Sequence, residues 1–272
     1  MKSKTLYSVL IYSLFATAMI ACQSSKSESE TADASNEAPV AEVNYTDEIQ
    51  GAWTTSYTND EGQEVQIMTI VVDGYIAETF YNEAEKRFDG TLGGSWSIEG
   101  NKFNLNFEFN TMDTTAVGTT AVLTFDLKGD TILFEGDEKI WVRVDDGAPG
   151  ALNGAYLITG RKRDGEISRR TPGARKTMKI LSGTRFQWIA YHTETTRFSG
   201  TGGGTYTTVG DDYTENIEFF SRDSSRVGAS LGFKWSLDSG EWHHSGLSSK
   251  GSPIYEIWTP RQMLDEVAAA QE

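Results

Sequence analysis

The sequence predicts an all-β protein that consists of two related domains in tandem. A glycine-rich stretch at residues 88–97, FDGTLGGSWS, returns 110 positions later, at residues 198–207, as FSGTGGGTYT. Identical residues recur at the same spacing on both sides, over roughly seventy positions, which indicates an internal duplication. The pairs include Met68 and Met178, Ile70 and Ile180, Tyr81 and Tyr191, Arg87 and Arg197, Phe109 and Phe219, and Gly118 and Gly228. Short runs of alternating apolar and polar residues in both halves indicate β-strands.

Residues 1–21 are predicted to be a lipoprotein signal peptide. Lys2 and Lys4 precede an apolar segment, residues 6–20, that is too short to span a bilayer. The segment ends in Met-Ile-Ala before Cys22, the only cysteine, and this arrangement resembles a bacterial lipobox. Cys22 is therefore predicted to carry a lipid. The alternative is a buried or reactive free thiol. A single cysteine cannot form an intramolecular disulfide framework.

After Cys22, the chain to residue 47 is rich in serine, glutamate, alanine and asparagine. Such a composition cannot bury enough apolar surface to offset the entropy of ordering, so residues 22–47 are predicted to form a disordered linker. We therefore expect a lipid-anchored protein of the bacterial cell envelope, at the outer membrane, on its periplasmic or its surface face.

The strand pattern predicts an antiparallel meander in each half. Turns such as Asp73-Gly74 and Lys128-Gly129-Asp130 separate the runs, because glycine, asparagine and aspartate tolerate the positive φ of tight hairpins. Regular short strands joined by tight turns are typical of a barrel or a sandwich. The predicted strands are residues 65–72, 75–81, 103–109, 121–127, 131–135 and 139–144 in the first half, and 179–181, 185–193, 213–220, 229–237 and 254–258 in the second.

The glycine-rich stretches are interpreted as strand entries at which glycine permits close backbone approach. They do not match a phosphate-binding loop, since no Lys-Ser or Lys-Thr follows residues 200–204. Only residues 261–270 favour a helix.

We expect the first domain at residues 48–146, the second at 151–261 and a tail at 262–272. Residues 48–147 carry 6 lysines and arginines against 19 acidic residues, whereas residues 148–261 carry 15 against 11. Together with a pI of about 4.7, this balance argues against nucleic acid as a partner. We expect a monomer in which the two domains touch.

The two halves open with Gly51-Ala-Trp53 and Gly154-Ala-Tyr156 and close with Ile140-Trp141 and Ile257-Trp258. With the meander, these residues resemble lipocalin and fatty-acid-binding-protein barrels. In the second half, further stretches resemble uncharacterised lipocalin-like domains of bacterial lipoproteins. They are residues 186–191, residues 200–206, residues 213–217, and Trp242 with Gly246 before residues 256–258. The resemblance implies two tandem calycin-like barrels and supplies no mechanism, and it is weaker in the first half, where Lys139 stands in place of Glu256.

Catalysis and metal binding have weak support in the sequence. The histidines are His192, His243 and His244, and the two adjacent ones must point to opposite faces of a strand. They show no spacing typical of a metal site, so we expect no metal and no cofactor. Carboxylate pairs for hydrolysis would need Glu215, Glu218, Glu241 or Glu256. A single inward glutamate is more simply a partner of Arg185 or Arg197. We name no catalytic residue.

Ligand binding is the favoured function, because small barrels either fill their interior with side chains or hold one small ligand. Aromatic residues with a few polar groups suit a lipid, a sugar or a planar aromatic molecule. The candidate ligand-binding residues, all expected to face the interior of the second barrel, are Trp188, Tyr191, His192, Arg197, Glu215, Trp235 and Tyr255. The alternatives are a filled-barrel structural or interaction module of an envelope complex, and a hydrolase or isomerase that acts inside the second barrel.

The basic residues between the opening strand and residue 186 form a second feature of the latter half. The segment also contains glycine and proline, which favours a loop. Its basic residues are Arg161, Lys162, Arg163, Arg169, Arg170, Arg175, Lys176, Lys179 and Arg185. Such a loop could gather anionic ligands, rest on anionic lipid headgroups or dock on the acidic first domain. It could also be a solvated loop without a partner.

Overall fold

The computed structural model describes residues 45–248 and 251–270; the predicted signal peptide, Cys22 and most of the predicted linker lie outside them. The described chain folds as two closed eight-stranded antiparallel barrels in tandem, which confirms the predicted all-β fold class. None of its helices is long and apolar enough to cross a membrane.

Barrel 1 is a simple meander in which each strand pairs with the next and the last pairs with the first. Its strands are β1 (Gly51–Thr58), β2 (Glu64–Val72), β3 (Tyr75–Asn82), β4 (Arg87–Glu99), β5 (Lys102–Asn110), β6 (Thr120–Lys128), β7 (Thr131–Phe134) and β8 (Ile140–Asp145).

Barrel 2 repeats this order, with one added strand, and a short C-terminal helix follows it. The added strand, β10, forms a hairpin with the end of β9, and β17 closes the barrel against β9. The elements are β9 (Gly154–Arg163), β10 (Glu166–Arg169), β11 (Arg175–Leu181), β12 (Arg185–His192), β13 (Phe198–Val209), β14 (Asp212–Phe220), β15 (Ser230–Asp238), β16 (Glu241–Leu247), β17 (Pro253–Pro260) and α1 (Arg261–Ala269).

The duplication is visible in the strand registers. Ile76 of β3 pairs with Gly94 of β4, and Phe186 of β12 pairs with Gly204 of β13, 110 positions later. Bulges also recur, after Gly93 in β4 and after Gly203 in β13. A single-turn 3₁₀ helix follows β5 and another follows β14, and each is capped by an aspartate side chain, Asp113 or Asp223. The 110-residue repeat is thus a repeat of backbone geometry.

The glycine-rich stretches lie inside the long strands β4 and β13, so describing them as entries between strands is wrong. Their glycines are needed where two strands approach closely. A Cβ atom on Gly94 would lie 1.9 Å from the Asn106 carbonyl oxygen, and one on Gly204 would lie 2.1 Å from that of Asn216. Any side chain at these positions would push the sheet apart at the bulge.

Two other predictions need correction. The basic segment expected to be a loop contains β10, because residues 166–169 pair with the end of β9. The strands β1, β9 and β16 have no counterpart among the predicted ranges, and the sequence of β16, EWHHSGL, lacks a clear alternation of apolar and polar residues.

A turn or a linker closes one end of each barrel. Ile49, just before β1, is 1% exposed, and its carbonyl oxygen accepts a hydrogen bond from Trp53 Nε1 at 2.8 Å. Leu152, just before β9, is fully buried in the core of barrel 2. The opposite end of barrel 2, where β12 and β14 end and β11 and β17 begin, is called the mouth below.

The two barrels pack against each other through a buried apolar interface, called the seam below. Barrel 1 contributes the outward side chains of β2, β3 and β5, and barrel 2 contributes those of β9, β11 and β12. The buried residues of this cluster are Ile70, Val72, Tyr75, Ala77, Phe109, Ala155, Leu157, Met178, Ile180, Ile189 and Tyr191. The expected contact between the domains is therefore an extensive shared core.

Candidate functional site

The interior of barrel 2 contains an ion pair that is almost fully buried. Lys179 of β11 and Glu215 of β14 are 4% and 5% exposed, and Lys179 Nζ lies 2.7 Å from Glu215 Oε1. The Tyr213 hydroxyl donates to the same oxygen at 3.0 Å. Aromatic rings surround the ammonium group, with Trp242 and Trp258 centroids at 4.8 and 5.3 Å. Burying two charges is costly even when they pair, so this pair is not an ordinary part of a barrel core.

A second polar group lies next to this pair. His244 of β16 is 2% exposed, and its Nδ1 lies 3.6 Å from Glu256 Oε2 of β17. Glu256 also faces Arg161 at 3.3 Å. Burial and then the Lys179 charge lower the pKa of His244, so its ring is neutral at pH 7. Burial alone would raise the pKa of Glu256, but His244, Lys179 and Arg161 together hold it below its usual value.

Several buried polar atoms in this interior lack a hydrogen-bond partner within the described residues. They are the indole N–H groups of Trp235, Trp242 and Trp258 and both ring nitrogens of His244. Buried polar groups are nearly always paired with protein, water or ligand, so a cluster of unpaired polar atoms is unusual. The interior of barrel 2 therefore contains polar groups that its own described residues do not satisfy.

Barrel 1 shows what the same positions hold without this polar cluster. Lys179 corresponds to Thr69 and Glu215 to Leu105, while Trp242 and His244 correspond to Ile132 and Phe134. Leu105, Ile132 and Phe134 all belong to the apolar core of barrel 1. The polar cluster is therefore a feature of barrel 2 and not of the fold.

The mouth of barrel 2 is lined by different residues from the same end of barrel 1. Barrel 1 has Phe80 and Leu92 where barrel 2 has Ala190 and Gly202. Ala190 points inward with Phe186 and is half-buried. The half-buried apolar side chains at this end are Trp188, Phe220, Leu231 and Ile254.

Arginines surround the mouth. Arg170 is close enough to Arg161 and Arg175 that, after burial, their charges lower its pKa, whereas Glu256 opposes this. Arg169 pairs with Glu241 and Arg161 with Glu256, both within barrel 2. The described ion pairs of this basic segment therefore anchor it to its own barrel and not to barrel 1.

Four of the seven predicted ligand-binding residues lie in or beside the interior of barrel 2. Glu215 is in the buried ion pair, and Trp188 is in the mouth, where its ring packs against Phe220 with a centroid distance of 5.6 Å. Trp235 packs on the core towards the closed end. His192 ends β12 at the mouth, where its Nδ1 accepts from the Thr195 N–H at 3.3 Å.

The other three do not face the interior. Tyr191 lies in the seam, because it alternates with the inward residues of β12. Tyr255 is on the outside, where its hydroxyl lies 2.7 Å from His243 Nδ1. Arg197 is exposed in the turn before β13. The partner of the inward glutamate is Lys179 and not Arg197 or Arg185, since Arg185 pairs with the outward Glu218 at 2.6 Å.

The assignment of Lys179 to the basic segment at the surface is wrong, because its side chain points into barrel 2 and pairs with Glu215. Sequence reasoning therefore missed Lys179, His244 and Glu256 as members of one site. Their signal was present in the repeat, since each replaces a residue of different chemistry in the first half. His243 and His244 do point to opposite faces, as predicted. Across residues 45–248 and 251–270, no three histidine, cysteine or acidic side chains are grouped so as to hold a metal ion.

Two cavities lie along the groove between the barrels, on either side of Lys86. One, of about 310 Å³, is lined in part by Glu83, Asn216 and Glu218. The other, of about 390 Å³, is lined in part by Phe88 and Arg222. Lys86 Nζ donates to the Val227 carbonyl oxygen at 3.1 Å and bridges the groove.

No protein-family model and no curated protein matches the chain. Among solved structures, it is similar to the crystal structure of the uncharacterised protein YLR301w from Saccharomyces cerevisiae. The two are 12% identical, the match covers 76% of this chain and 98% of that one, and the TM-score is 0.37. A likeness at this level carries no information on function.

The buried ion pair gives a direct prediction for stability. Replacing Lys179 with Met leaves the Glu215 carboxylate buried without a cation, which should lower the free energy of unfolding by about 3–5 kcal/mol. Adding Glu215→Leu, the residue of barrel 1, should recover most of that loss. Urea unfolding followed by tryptophan fluorescence measures both.

The matched control is Lys234→Met, because the Lys234 side chain is 57% exposed and pairs with Asp211 and Asp212 at the surface. Its cost should stay below about 1 kcal/mol. A Lys179→Met variant no less stable than this control would show that the pair is not buried.

Glu78 in barrel 1, at the position of Trp188, predicts a pH dependence. Burial raises its pKa to about 7, although the Thr69 hydroxyl, which donates at 3.0 Å, lowers it. The folded state therefore holds a proton that the unfolded chain releases near its ordinary value of 4.5. The resulting stability is present below that value and is lost as the pH rises through about 7.

Glu78→Gln should remove this contribution, so the variant should gain stability relative to the unmodified chain between pH 5 and pH 8. Urea midpoints at both pH values measure the difference. Glu64→Gln, at an exposed position, serves as the control. An equal difference at the two pH values would contradict the assignment.

Proposed function

We propose that the chain is a lipid-anchored protein of the bacterial cell envelope that belongs with lipocalin-like barrel proteins. In this proposal, Cys22 carries the lipid, residues 22–47 form the linker, and barrel 2 binds a small amphipathic or aromatic ligand at its mouth. Barrel 1, whose core is mainly apolar, supports barrel 2 and does not bind the ligand.

The observation that carries the binding proposal is the divergence of barrel 2 from barrel 1 at equivalent positions. Substituting Lys, Glu and His into a core costs stability unless those groups serve another purpose. The same barrel has smaller residues, Ala190 and Gly202, where barrel 1 has Phe80 and Leu92. Polar groups deep in the barrel and apolar side chains at its mouth suit a ligand with an apolar body and a polar end.

The side chains at the mouth and in the interior of barrel 2 indicate how the ligand is oriented. Trp188, Leu231 and Ile254 offer apolar contact at the mouth. The unpaired indole N–H group of Trp242, the single N–H of the neutral His244 ring and the ammonium group of Lys179 favour an acceptor such as a carboxylate or a carbonyl group. The arginines around the mouth attract anions from solution.

A second candidate function is an interaction module with both barrels filled. The packing of eleven buried residues in the core of barrel 2, and the location of the two cavities in the groove between the barrels, favour it. A hydrolase or isomerase would use His244 and Glu256, but a proton transfer between them needs an approach closer than 3.6 Å.

The anchor is tested by metabolic labelling in a bacterial host. The unmodified chain should incorporate radiolabelled palmitate and fractionate with the outer membrane, because the lipid is attached at Cys22. Cys22→Ser should lose the label and appear in the soluble fraction. Label retained by the Cys22→Ser variant would contradict the assignment.

Ligand binding is tested with 1-anilinonaphthalene-8-sulfonate, an aromatic anion, added to the full-length Cys22→Ser chain. Binding should raise its fluorescence. Ala190→Phe restores the side chain of barrel 1, fills the mouth, and should weaken binding by about tenfold, which corresponds to ~1.4 kcal/mol. Urea unfolding checks that the variant folds.

Leu247→Phe is the matched control, since it adds a ring at a position that is 58% exposed on the outside of barrel 2. It should leave binding unchanged. Equal weakening by both variants would mean that the probe binds outside the mouth. No binding to the unmodified barrel, together with no co-purified mass in native mass spectrometry, would favour the interaction module.

A further inference from the structure

The contacts across the seam are reciprocal. The ring of Tyr81 packs against Phe219 with a centroid distance of 5.2 Å and an interplanar angle of 38°. Tyr191 packs against Phe109 at 4.8 Å and 42°. Tyr191 and Phe219 are the 110-residue equivalents of Tyr81 and Phe109. Exchanging the two barrels therefore converts the first contact into the second. That is the defining property of an interface with two-fold symmetry.

The polar contacts follow the same rule. The Tyr81 hydroxyl donates to Glu218 Oε2 at 3.1 Å, and the Tyr191 hydroxyl donates to Glu108 Oε2. Glu108 and Glu218 are again equivalent positions. Each tyrosine therefore reaches the carboxylate of the opposite barrel.

Phe88 and Phe198 mark the axis. These equivalent residues stack on each other, with centroids 6.0 Å apart and planes 10° apart. A residue that contacts its own equivalent must lie on the two-fold axis of the pair. Three independent kinds of contact thus obey one symmetry.

Each carboxylate also receives a guanidinium group, but from different places. Arg185 of barrel 2 donates to Glu218 at 2.6 Å. The equivalent residue in barrel 1 is Tyr75, which cannot supply a cation. Arg261, the first residue of α1, supplies it: the guanidinium donates to both Glu108 oxygens at 2.7 and 2.9 Å and lies 3.6 Å from the Tyr75 ring centroid.

We infer that the outer face of β11, β12 and β14 is a self-complementary dimerisation surface, and that the chain is a fused form of a two-fold homodimer of single barrels. The partner this face fits is a second copy of the same barrel. A barrel 2 pair would join Tyr191 to Glu218 and Phe219 of the other copy and would stack Phe198 on itself.

The test uses the full-length Cys22→Ser chain and charges placed on one face at a time. Ile70→Lys with Phe109→Lys puts two ammonium groups on the barrel 1 face, at positions 2% and 3% exposed in the seam. The freed face of barrel 2 should then pair with a second chain. Ile180→Lys with Phe219→Lys, at the equivalent positions, should free the barrel 1 face instead.

Sedimentation equilibrium should give a dimer for each double variant and a monomer for the unmodified chain. The variant with all four substitutions should be a monomer, since no compatible face remains. Val209→Lys, at a position that is 74% exposed, should also stay a monomer. Folded, monomeric double variants would overturn the inference, and so would aggregates without defined stoichiometry.

A second measurement does not depend on the folding of those variants. A protease site inserted after Ala148 allows the intact protein to be cut between the barrels, each of which has its own interior core. The cut halves should remain a 1:1 complex. The C-terminal half, separated and refolded, should form a dimer, whereas a folded monomer would overturn the inference.

Discussion

The seam is the constraint on which the rest of the structure depends, because it buries both faces of the strands that form it. In β2, Ile67 and Val71 face the interior of barrel 1, while Ile70 and Val72 face barrel 2. Strands buried on both faces cannot place a polar site outward. No site for a small molecule can therefore lie on the outer faces of the strands that form the seam.

Within that constraint the two barrels have diverged in their interiors and kept several identical residues on the faces that form the seam. The seam positions Met68 and Met178, Ile70 and Ile180, and Phe109 and Phe219 are identical in type. The interior positions differ in charge and size, as at Thr69 and Lys179. The faces must remain complementary to each other, whereas each interior is free to change. This difference explains why one barrel can act as a support while the other carries the candidate site.

Much of the fold followed from local patterns. Alternation and turn residues located most strands, and the 110-residue repeat gave two domains of one kind. The prediction failed where the local sequence pattern is weak, and where packing against another part of the structure decides what a side chain contacts. β16 lacks alternation, β10 is paired only because β9 extends beyond the barrel, and Tyr191 obeys the strand period but faces a second barrel. A run of six apolar or small residues at 67–72 was a signal for burial on both faces.

The sequence by itself determined the duplication, the strand content, the opposite facing of His243 and His244, and the inward position of Glu215, because these depend on spacing along one chain. Only the tertiary structure decided that Lys179 is the partner of Glu215, that His244 and Glu256 join them, and that Arg261 reaches Glu108. These contacts join residues 36, 12 and 153 positions apart, in the order given. Closure of the barrels and their packing against each other bring those residues together. A local sequence pattern does not specify contacts between residues so far apart in the chain.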